Sequence, residues 1–177
     1  DYGDTTIFSF HPVKTITTGE GGMALTNDSK LAERPSYLRT HGIVRPAQQP
    51  GELQGEPRVN EERNGPWMYE QNELGLNYRM TDIQAAVGRV QLRKLDTLND
   101  RRRANAAYLT AGLQGVPGLT LPTETEGVRH VYHLYPVTID AADFGMTKED
   151  FIYAMLEQRG VKVGTHYIPL HWSTAFQ

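Results

Sequence analysis

The sequence predicts a mixed α/β fold, and three features of its 177 residues support this prediction. Residues 5–10 alternate in character and are β-branched or aromatic, which is typical of a buried strand. Thr81 and Gln84 have the spacing of a capping box, which marks the start of a helix. Apolar residues then recur at helical spacing to about Leu113. Strand and helix signals therefore occur in one chain.

Two strands and a helix are predicted in the N-terminal part. The strands cover Thr5–Phe10 and Gly21–Thr26. Residues 27–29 are expected to form a turn into the helix, in which Pro35 either disturbs the helix or marks its first turn. Residues 43–66 are rich in Pro, Gly, Gln and Glu and lack periodicity, so they are predicted to form a long loop.

A single long helix is predicted from Thr81 to about Leu113. Asp82 favours its start, because a negative charge is stabilised near a helix N-terminus. The apolar residues form two offset stripes, which indicates a helix that changes its packing partner along its length, as a domain-bridging helix must. The stripes consist of Ile83, Val87 and Val90, and of Leu92, Leu95 and Leu98.

The C-terminal part is predicted to contain two strands and one helix. The strands cover Val131–Ile139 and Val161–Ile168. Between them, Thr147 is expected to cap a short helix, and Gly160 is expected to end it.

The composition excludes several classes of protein. The net charge is −3 and the basic residues are scattered, with the densest cluster, Arg101–Arg103, expected on a solvated helix face. The chain contains no cysteine, which excludes disulfides and cysteine-based metal sites. No apolar run approaches the roughly 18 residues of a membrane span. We therefore expect a soluble, cytoplasmic protein with no nucleic-acid or membrane partner.

Lys14 is the first candidate for chemistry. It lies on a loop between two apolar, strand-like segments, where the exclusion of water disfavours the ammonium form and makes a lysine nucleophilic. Such an amine can form a Schiff base with an aldehyde. The alternative is a surface lysine whose stem covers apolar neighbours. A phosphate-binding P-loop is excluded, because that motif requires glycine directly before the lysine, where this sequence has Val13.

Two blocks of the sequence, Ser9–Gly22 and Glu73–Ala86, carry a family resemblance. Both resemble segments of the DegT/DnrJ/StrS sugar aminotransferases, a family of fold-type I pyridoxal-phosphate enzymes. Three further blocks match in order, so that the resemblance spans nearly the whole chain: Leu38–Gly42, His130–Tyr135 and Gly164–His171.

The resemblance implies a role for several residues. Lys14 would carry pyridoxal 5'-phosphate and then move the substrate proton, while the hydroxyl of Ser9 would hold the cofactor phosphate. Asn77 would reach the cofactor phosphate of the partner subunit, which implies a homodimer with composite active sites. The residues expected to border the substrate are His166, Tyr167 and His171.

Other polar residues and glycines in these blocks are open to two interpretations. Arg79 suits an anionic group of a nucleotide-sugar, or it forms an ordinary surface ion pair. Ser9 and Asn77 could instead satisfy the local backbone. The glycines either approach a ligand closely or form a turn that positions Lys14, and we favour the turn. These glycines are Gly19, Gly21 and Gly22.

For the fold, the resemblance implies part of a fold-type I, aspartate aminotransferase-like transferase. Residues 1–80 would be the C-terminal part of the large cofactor domain, residues 81–113 a bridging helix, and residues 114–177 part of the small C-terminal α+β lobe. Family members are longer, so the chain is expected to be a fragment that lacks the N-terminal half and is inactive in isolation. That half supplies the carboxylate for the pyridine nitrogen and the ring-stacking aromatic.

The activity that the resemblance implies is transfer of an amino group from L-glutamate to a nucleotide-linked keto-deoxy-sugar for surface glycans. Pro66–Gln71 resembles one branch of the family, the UDP-4-amino-4,6-dideoxy-N-acetyl-β-L-altrosamine transaminases of pseudaminic acid synthesis. The substrate of that branch would be UDP-4-keto-6-deoxy-N-acetyl-hexosamine. Lys14 argues against a sister branch that performs dehydration and carries histidine at this position.

Two alternative functions remain open at the level of sequence. The first is a non-catalytic fragment that serves folding or dimerisation. The second is a metal hydrolase that uses His130, His133 and His166. No acidic residue lies between His166 and His171 to complete a ligand set, so no metal site is expected. His133 is expected to be a packed core histidine instead.

Overall fold

The computed structural model describes residues 3–44 and 69–177. In this part the chain is a mixture of helices and strands, as the sequence predicts. It forms two compact units, Asp1–Leu98 and Asn99–Gln177, whose boundary falls inside the segment predicted as a bridging helix. None of the helices in the described residues is long and apolar enough to cross a bilayer.

The first unit begins with a two-stranded antiparallel hairpin. Strand β1 covers Thr6–Ser9 and strand β2 covers Gly22–Leu25, so both lie where the sequence predicts them. The prediction that the first strand is buried is wrong, because Ile7 is 73% exposed. A two-stranded sheet has no neighbouring strand to extend it, and within the described residues no layer covers the face that carries Ile7.

Helix α1 covers Ser29–Leu38 and follows the predicted turn. The Oδ1 of Asp28 caps it by accepting hydrogen bonds from the backbone N–H groups of Lys30 and Leu31, at 2.8 and 3.2 Å. The prediction that Pro35 disturbs the helix or marks its first turn is wrong, because Pro35 lies inside the helix. Only one internal hydrogen bond is lost there, and the helix ends within the next turn.

A short antiparallel pair follows, in which β3 (Ile43–Val44) lies beside β4 (Glu70–Gln71). The first two residues of the predicted long loop are therefore strand. The rest of that loop, from residue 45 to residue 66, lies outside the described residues.

The predicted single helix is wrong, because the structure contains two helices. Helix α2 covers Asp82–Leu92 and helix α3 covers Leu95–Leu113. Between them the chain makes a turn in which Lys94 N–H donates to the carbonyl of Gln91, at 3.0 Å. The break falls within the second apolar stripe, because Leu92 ends helix α2 and Leu95 begins helix α3.

Helix α2 and the hairpin enclose an apolar cleft of about 420 Å³ within the first unit. The hairpin contributes aromatic and aliphatic side chains, and the helix presents small and apolar residues opposite them. The lining includes Phe8, Phe10, Met23, Leu25, Ala85 and Leu92. The loop that joins the two strands, residues 10–21, is thereby held beside helix α2.

The second unit contains the short pair β5 (Leu119–Thr120) and β6 (Thr138–Ile139), then helices α4 (Ala141–Phe144) and α5 (Lys148–Arg159). The predicted cap of α5 is confirmed, since the hydroxyl of its N-cap threonine accepts from Asp150 N–H at 3.1 Å. The predicted end is confirmed as well, since its C-cap glycine has φ of 64°. The capping residues are Thr147 and Gly160.

The two C-terminal strand predictions are largely wrong. Of Val131–Ile139, only the last two residues are strand, and residues 161–168 contain none. Residues 130–133 are held to helix α3 by side chains instead, because Arg102 and Arg103 donate to the backbone carbonyls of this segment. Backbone groups that accept from side chains in this way do not need a neighbouring strand.

Candidate active site

Lys14 closes a tight turn directly after strand β1. Its backbone N–H donates to the carbonyl of His11 at 2.9 Å, and Val13 N–H lies 3.3 Å from Nδ1 of the same histidine. The lysine is half-buried. Among the described residues, no side chain or carbonyl is paired with its Nζ by a hydrogen bond or an ion pair. The amine is therefore available to react with a carbonyl compound.

The loop that carries Lys14 is closed at its base by backbone hydrogen bonds. Phe10 N–H donates to Gly21 at 2.8 Å, and Thr18 N–H donates to the carbonyl of Phe10 at 3.1 Å. Of the three glycines in this block, Gly19 has a positive φ, of 83°. Only at this position does the turn after the lysine require the left-handed region, which glycine enters without strain.

Ser9 is the last residue of strand β1 and lies opposite Gly22. It is exposed, and in the part of the chain that the structure describes its hydroxyl has no protein partner. A free hydroxyl at a strand end is available to donate to a phosphate oxygen.

Asn77, Arg79 and His41 form a polar cluster before helix α2. Nη2 of Arg79 lies 3.2 Å from Oδ1 of Asn77 and 3.3 Å from Nε2 of His41. A guanidinium can only donate, so Asn77 accepts through its oxygen and its amide NH₂ remains for another acceptor. For the same reason Nε2 of His41 is the acceptor in its contact. Among the described residues, these two contacts are the ones that Arg79 makes.

His41 is a site residue that the sequence analysis missed. Its backbone has φ of 64°, which is uncommon for a residue other than glycine, and its N–H donates to the carbonyl of Leu76 at 2.9 Å. Strained backbone conformations tend to occur at functional sites. The block Leu38–Gly42 pointed to this region, but no sequence pattern marks a histidine in the left-handed region.

The cluster stands on two chain segments that lie very close together. Leu76 N–H donates to Leu38 at 2.7 Å, and Tyr78 N–H donates to the carbonyl of Arg39 at 3.0 Å. A Cβ on Gly75 would overlap the backbone nitrogen of Gly42. The absence of both side chains therefore permits the approach that places Asn77 beside His41.

An ion pair reinforces this platform. Both terminal nitrogens of Arg34 on helix α1 donate to the carboxylate of Glu73, at 2.7 and 2.6 Å. The hydrogen bond from Arg34 lowers the pKa of Glu73, and the same bond raises the pKa of Arg34. The pair links helix α1 to the start of the segment that leads to Asn77.

The comparison with protein families shows to which family the chain belongs. The model of the DegT/DnrJ/EryC1/StrS aminotransferase family matches residues 1–177. The chain belongs to this family. The structure is thus part of a fold-type I transferase of the DegT/DnrJ/EryC1/StrS family, as the sequence blocks around Lys14 and Asn77 indicated.

Two curated relatives match this family member over most of its length. Uncharacterized protein MJ1066 of Methanocaldococcus jannaschii is 40% identical, over 96% of this chain and 41% of its own. Spore coat polysaccharide biosynthesis protein SpsC of Bacillus subtilis is 34% identical, over 99% of this chain and 42% of its own. The chain therefore spans about two fifths of the length of these relatives.

Solved structures of the family resemble the chain closely. Helicobacter pylori PseC, an aminotransferase involved in pseudaminic acid biosynthesis, has a TM-score of 0.79 at 28% identity, over 99% of this chain and 42% of its own. The sugar aminotransferase homologue Spr1654 of Streptococcus pneumoniae, solved in its pyridoxal-phosphate form, has a TM-score of 0.76 at 28% identity, over 98% and 40%. The family is pyridoxal-phosphate-dependent.

The donor set in the first unit of this family member fits such a cofactor. Within residues 3–44 and 69–177, the amine of Lys14 and the hydroxyl of Ser9 have no partner, so the amine can meet the carbonyl and the hydroxyl can meet the phosphate. Asn77 offers an amide NH₂ whose orientation is fixed by Arg79. These are the donors that an aldehyde and a phosphate require.

The three predicted substrate residues lie in the second unit, at its C-terminal end. His166 and Tyr167 have ring centroids 3.5 Å apart, and His171 packs edge-on against Trp172 at 6.0 Å. The side chains of all three predicted substrate residues are exposed. Two short 3₁₀ turns follow, at Leu170–Trp172 and Thr174–Phe176.

The remaining histidine block serves the fold of the second unit. Arg103 donates to Glu124 at 2.7 Å and to the carbonyl of His130 at 2.6 Å, and Glu124 accepts from His130 N–H at 2.9 Å. Arg102 and Arg103 are half-buried, so the predicted solvated face is wrong for these two. His133 is likewise half-buried rather than a core residue. Among the described residues, no group of three or more His, Cys, Asp or Glu is placed to hold a metal ion.

Proposed function

We propose that the protein is a pyridoxal-phosphate-dependent aminotransferase that acts on a nucleotide-linked keto-deoxy-sugar. The observation that carries the proposal is the Nζ of Lys14, which has no partner in the part of the chain that the structure describes. The lysine is held on a tight turn in a chain that matches the aminotransferase family throughout. The names of SpsC and PseC support a sugar as the acceptor, used in a surface polysaccharide. UDP-4-keto-6-deoxy-N-acetyl-hexosamine is the proposed acceptor, and L-glutamate is the proposed amino donor.

Each candidate site residue of the first unit has a role in this proposal. Bound pyridoxal phosphate supplies an electron sink for the bonds at the substrate Cα. Lys14 holds the cofactor through its amine and, once released, accepts and returns the substrate proton as a free base. The hydroxyl of Ser9 and the amide of Asn77 donate to the phosphate. The contacts of Arg79 support a role in orienting Asn77 more than the predicted direct contact with the nucleotide-sugar.

The remaining parts of the proposal concern the whole protein. We place His166, Tyr167 and His171 at the sugar or phosphate of the substrate. The active unit is proposed to be a cytoplasmic homodimer in which Asn77 serves the partner's site. Residues 1–80 belong to the large cofactor domain and residues 114–177 to the small lobe in this proposal.

The test is covalent trapping. The purified complete protein is mixed with pyridoxal phosphate and reduced with borohydride, and the adduct is mapped by mass spectrometry. We expect a stoichiometric phosphopyridoxyl group on Lys14 that the Lys14→Ala variant lacks. Lys94→Ala is the matched control, because Lys94 is exposed at the turn between helices α2 and α3. Equal labelling of scattered lysines in the wild type and in Lys14→Ala would overturn the proposal in favour of the non-catalytic alternative.

A further inference from the structure

Gln84 uses both ends of its side-chain amide. It is the third residue of helix α2, and its Oε1 accepts from Thr81 N–H at 2.9 Å and lies 3.0 Å from the Thr81 hydroxyl. Its Nε2 donates to the carbonyl of Glu20 at 3.0 Å. The acceptor end therefore completes the capping box, and the donor end reaches the loop that carries Lys14.

The carbonyl of Glu20, to which Gln84 donates, belongs to a hydrogen-bond network at the base of the loop. The carbonyl of Glu20 also accepts from the hydroxyl of Thr18 at 2.8 Å. Thr18 is only 6% exposed, and its N–H closes the loop onto Phe10. A hydrogen bond that ends on this carbonyl therefore acts on the base of the loop.

One turn further along the helix, glycine removes the side chain that would separate helix and loop. A Cβ on Gly88 would lie 2.8 Å from Cγ2 of Thr18, which is too close for a real contact. A Cβ on Gly21 would overlap the Thr18 hydroxyl and lie 2.9 Å from Cε of Met80. Thr18 thus sits between two glycines, one on the helix and one on the loop.

We propose that Gln84 is a positioning residue, which together with Gly88 fixes the Lys14 loop against helix α2. The proposal rests on the proposed function of Lys14. A lysine that must first bind a carbonyl and then reach a substrate proton has a long flexible stem, so its backbone has to be held. The anchor supplies that restraint from a helix whose own start is fixed by the same side chain.

The substitution Gln84→Glu separates the two tasks of the residue. A glutamate keeps the acceptor of the capping box and favours the helix N-terminus, but it has no donor for the carbonyl of Glu20. Gln84→Ala removes both. We expect the thermal unfolding midpoint of Gln84→Glu to match the wild type, while that of Gln84→Ala falls.

Hydrogen exchange reports the loop without any cofactor. In the complete protein, we expect the amide of Thr18 to exchange about tenfold faster in Gln84→Glu, the size expected for one lost hydrogen bond, while the amides of helix α2 keep their protection. The rate of borohydride trapping at Lys14 should fall by a similar factor at saturating pyridoxal phosphate. In turnover, with kcat expressed per Lys14 adduct formed at saturating pyridoxal phosphate, kcat should fall while the KM for the sugar stays constant. Loss of folded enzyme would instead leave kcat per adduct unchanged.

A second pair of variants tests the close approach. Gly88→Ala introduces a Cβ against Cγ2 of Thr18, so we expect faster exchange at Thr18 and slower trapping at Lys14. Thr18→Ser keeps the hydroxyl but removes Cγ2, and we expect it to restore both rates when combined with Gly88→Ala. Absence of rescue would contradict a steric anchor at this point.

The outcomes distinguish this proposal from the proposed function. If the wild type forms no adduct at Lys14, the assignment of the lysine is wrong. If the wild type forms the adduct and Gln84→Glu exchanges and traps at the wild-type rate, the role of Gln84 is overturned and that of Lys14 stands.

Discussion

Nη2 of Arg79 donates to Oδ1 of Asn77 across 3.2 Å, and this contact decides which end of the asparagine amide is free. Because the oxygen is occupied, the NH₂ group is the end that can meet a ligand. The same nitrogen of Arg79 is held by Nε2 of His41, at 3.3 Å. Orientation of Asn77 thus depends on a histidine that lies more than thirty positions earlier in the chain.

Removal of Arg79 should therefore weaken cofactor binding without removing a cofactor ligand. For Arg79→Ala in the complete protein we expect the Kd for pyridoxal phosphate to rise about tenfold, since a hydrogen bond that contributes about 1.4 kcal/mol corresponds to a factor of ten. Absorbance titration measures this. Arg101→Ala is the control, because Arg101 is exposed on helix α3. An unchanged Kd in Arg79→Ala would show that Asn77 does not need the guanidinium.

The contact between Gly42 and Gly75 predicts a large difference between two glycine substitutions. Gly75→Ala would place a Cβ against the backbone of residues 38–42, which cannot move aside as a side chain can. We expect the free energy of unfolding to fall by about 1–3 kcal/mol. Gly112 on helix α3 has nothing within 4 Å of its Cβ position, so Gly112→Ala should gain about 0.5–1 kcal/mol. Denaturant unfolding of both variants measures the contrast, and equal effects would contradict the packing described here.

The pair of Arg34 and Glu73 predicts a pH dependence of stability. Its hydrogen bond lowers the folded pKa of Glu73 below the ordinary value of 4.5, so the pair stabilises the fold at higher pH and loses its effect as the pH falls through the folded pKa. The difference in unfolding free energy between the wild type and Glu73→Gln should have its largest value above pH 4.5. It should become smaller as the buffer is made more acidic.

Urea midpoints across this acidic range provide the measurement. Glu126→Gln is the control, because Glu126 is an exposed carboxylate of the second unit. A difference that stays constant with pH would mean that the ion pair does not contribute to the stability of the first unit.

The cap of helix α5 predicts a local effect in the second unit. Thr147→Ala removes the acceptor for Asp150 N–H and should destabilise the helix by about 1 kcal/mol. Thr147→Ser keeps the hydroxyl and should stay close to the wild type. Hydrogen exchange of the Asp150 amide reads this out, and equal protection in the alanine variant would argue that water replaces the cap.

Local signals explain what the sequence could predict. The capping box of Thr81 and Gln84, the N-cap Thr147 and the C-cap Gly160 each depend on a few neighbouring residues, and all three occur in the structure. The turn residues around Asp28 act in the same way. Such features are formed by contacts within one helical turn, so a single sequence contains enough information to place them.

Contacts between distant residues explain what the sequence could not predict. A strand forms only where a partner accepts its hydrogen bonds, and residues 130–133 are tied to arginines of helix α3 instead. The left-handed backbone conformation of His41 is supported by the hydrogen bond from its N–H to the carbonyl of Leu76, a residue far away in the sequence. The hydrogen bond from Nε2 of Gln84 to the carbonyl of Glu20 could not be predicted either, because a capping box involves only the Oε1 of the glutamine.

The pairing of Val44 with Glu70 brings the two ends of the intervening chain side by side. The ends of the connection between β3 and β4 are therefore fixed next to each other by the strand pair. The entropic cost of closing a flexible connection between two fixed ends rises by only about 0.6 kcal/mol for each doubling of its length. We therefore expect an insertion between Val44 and Glu70 to leave the register of β3 against β4 unchanged.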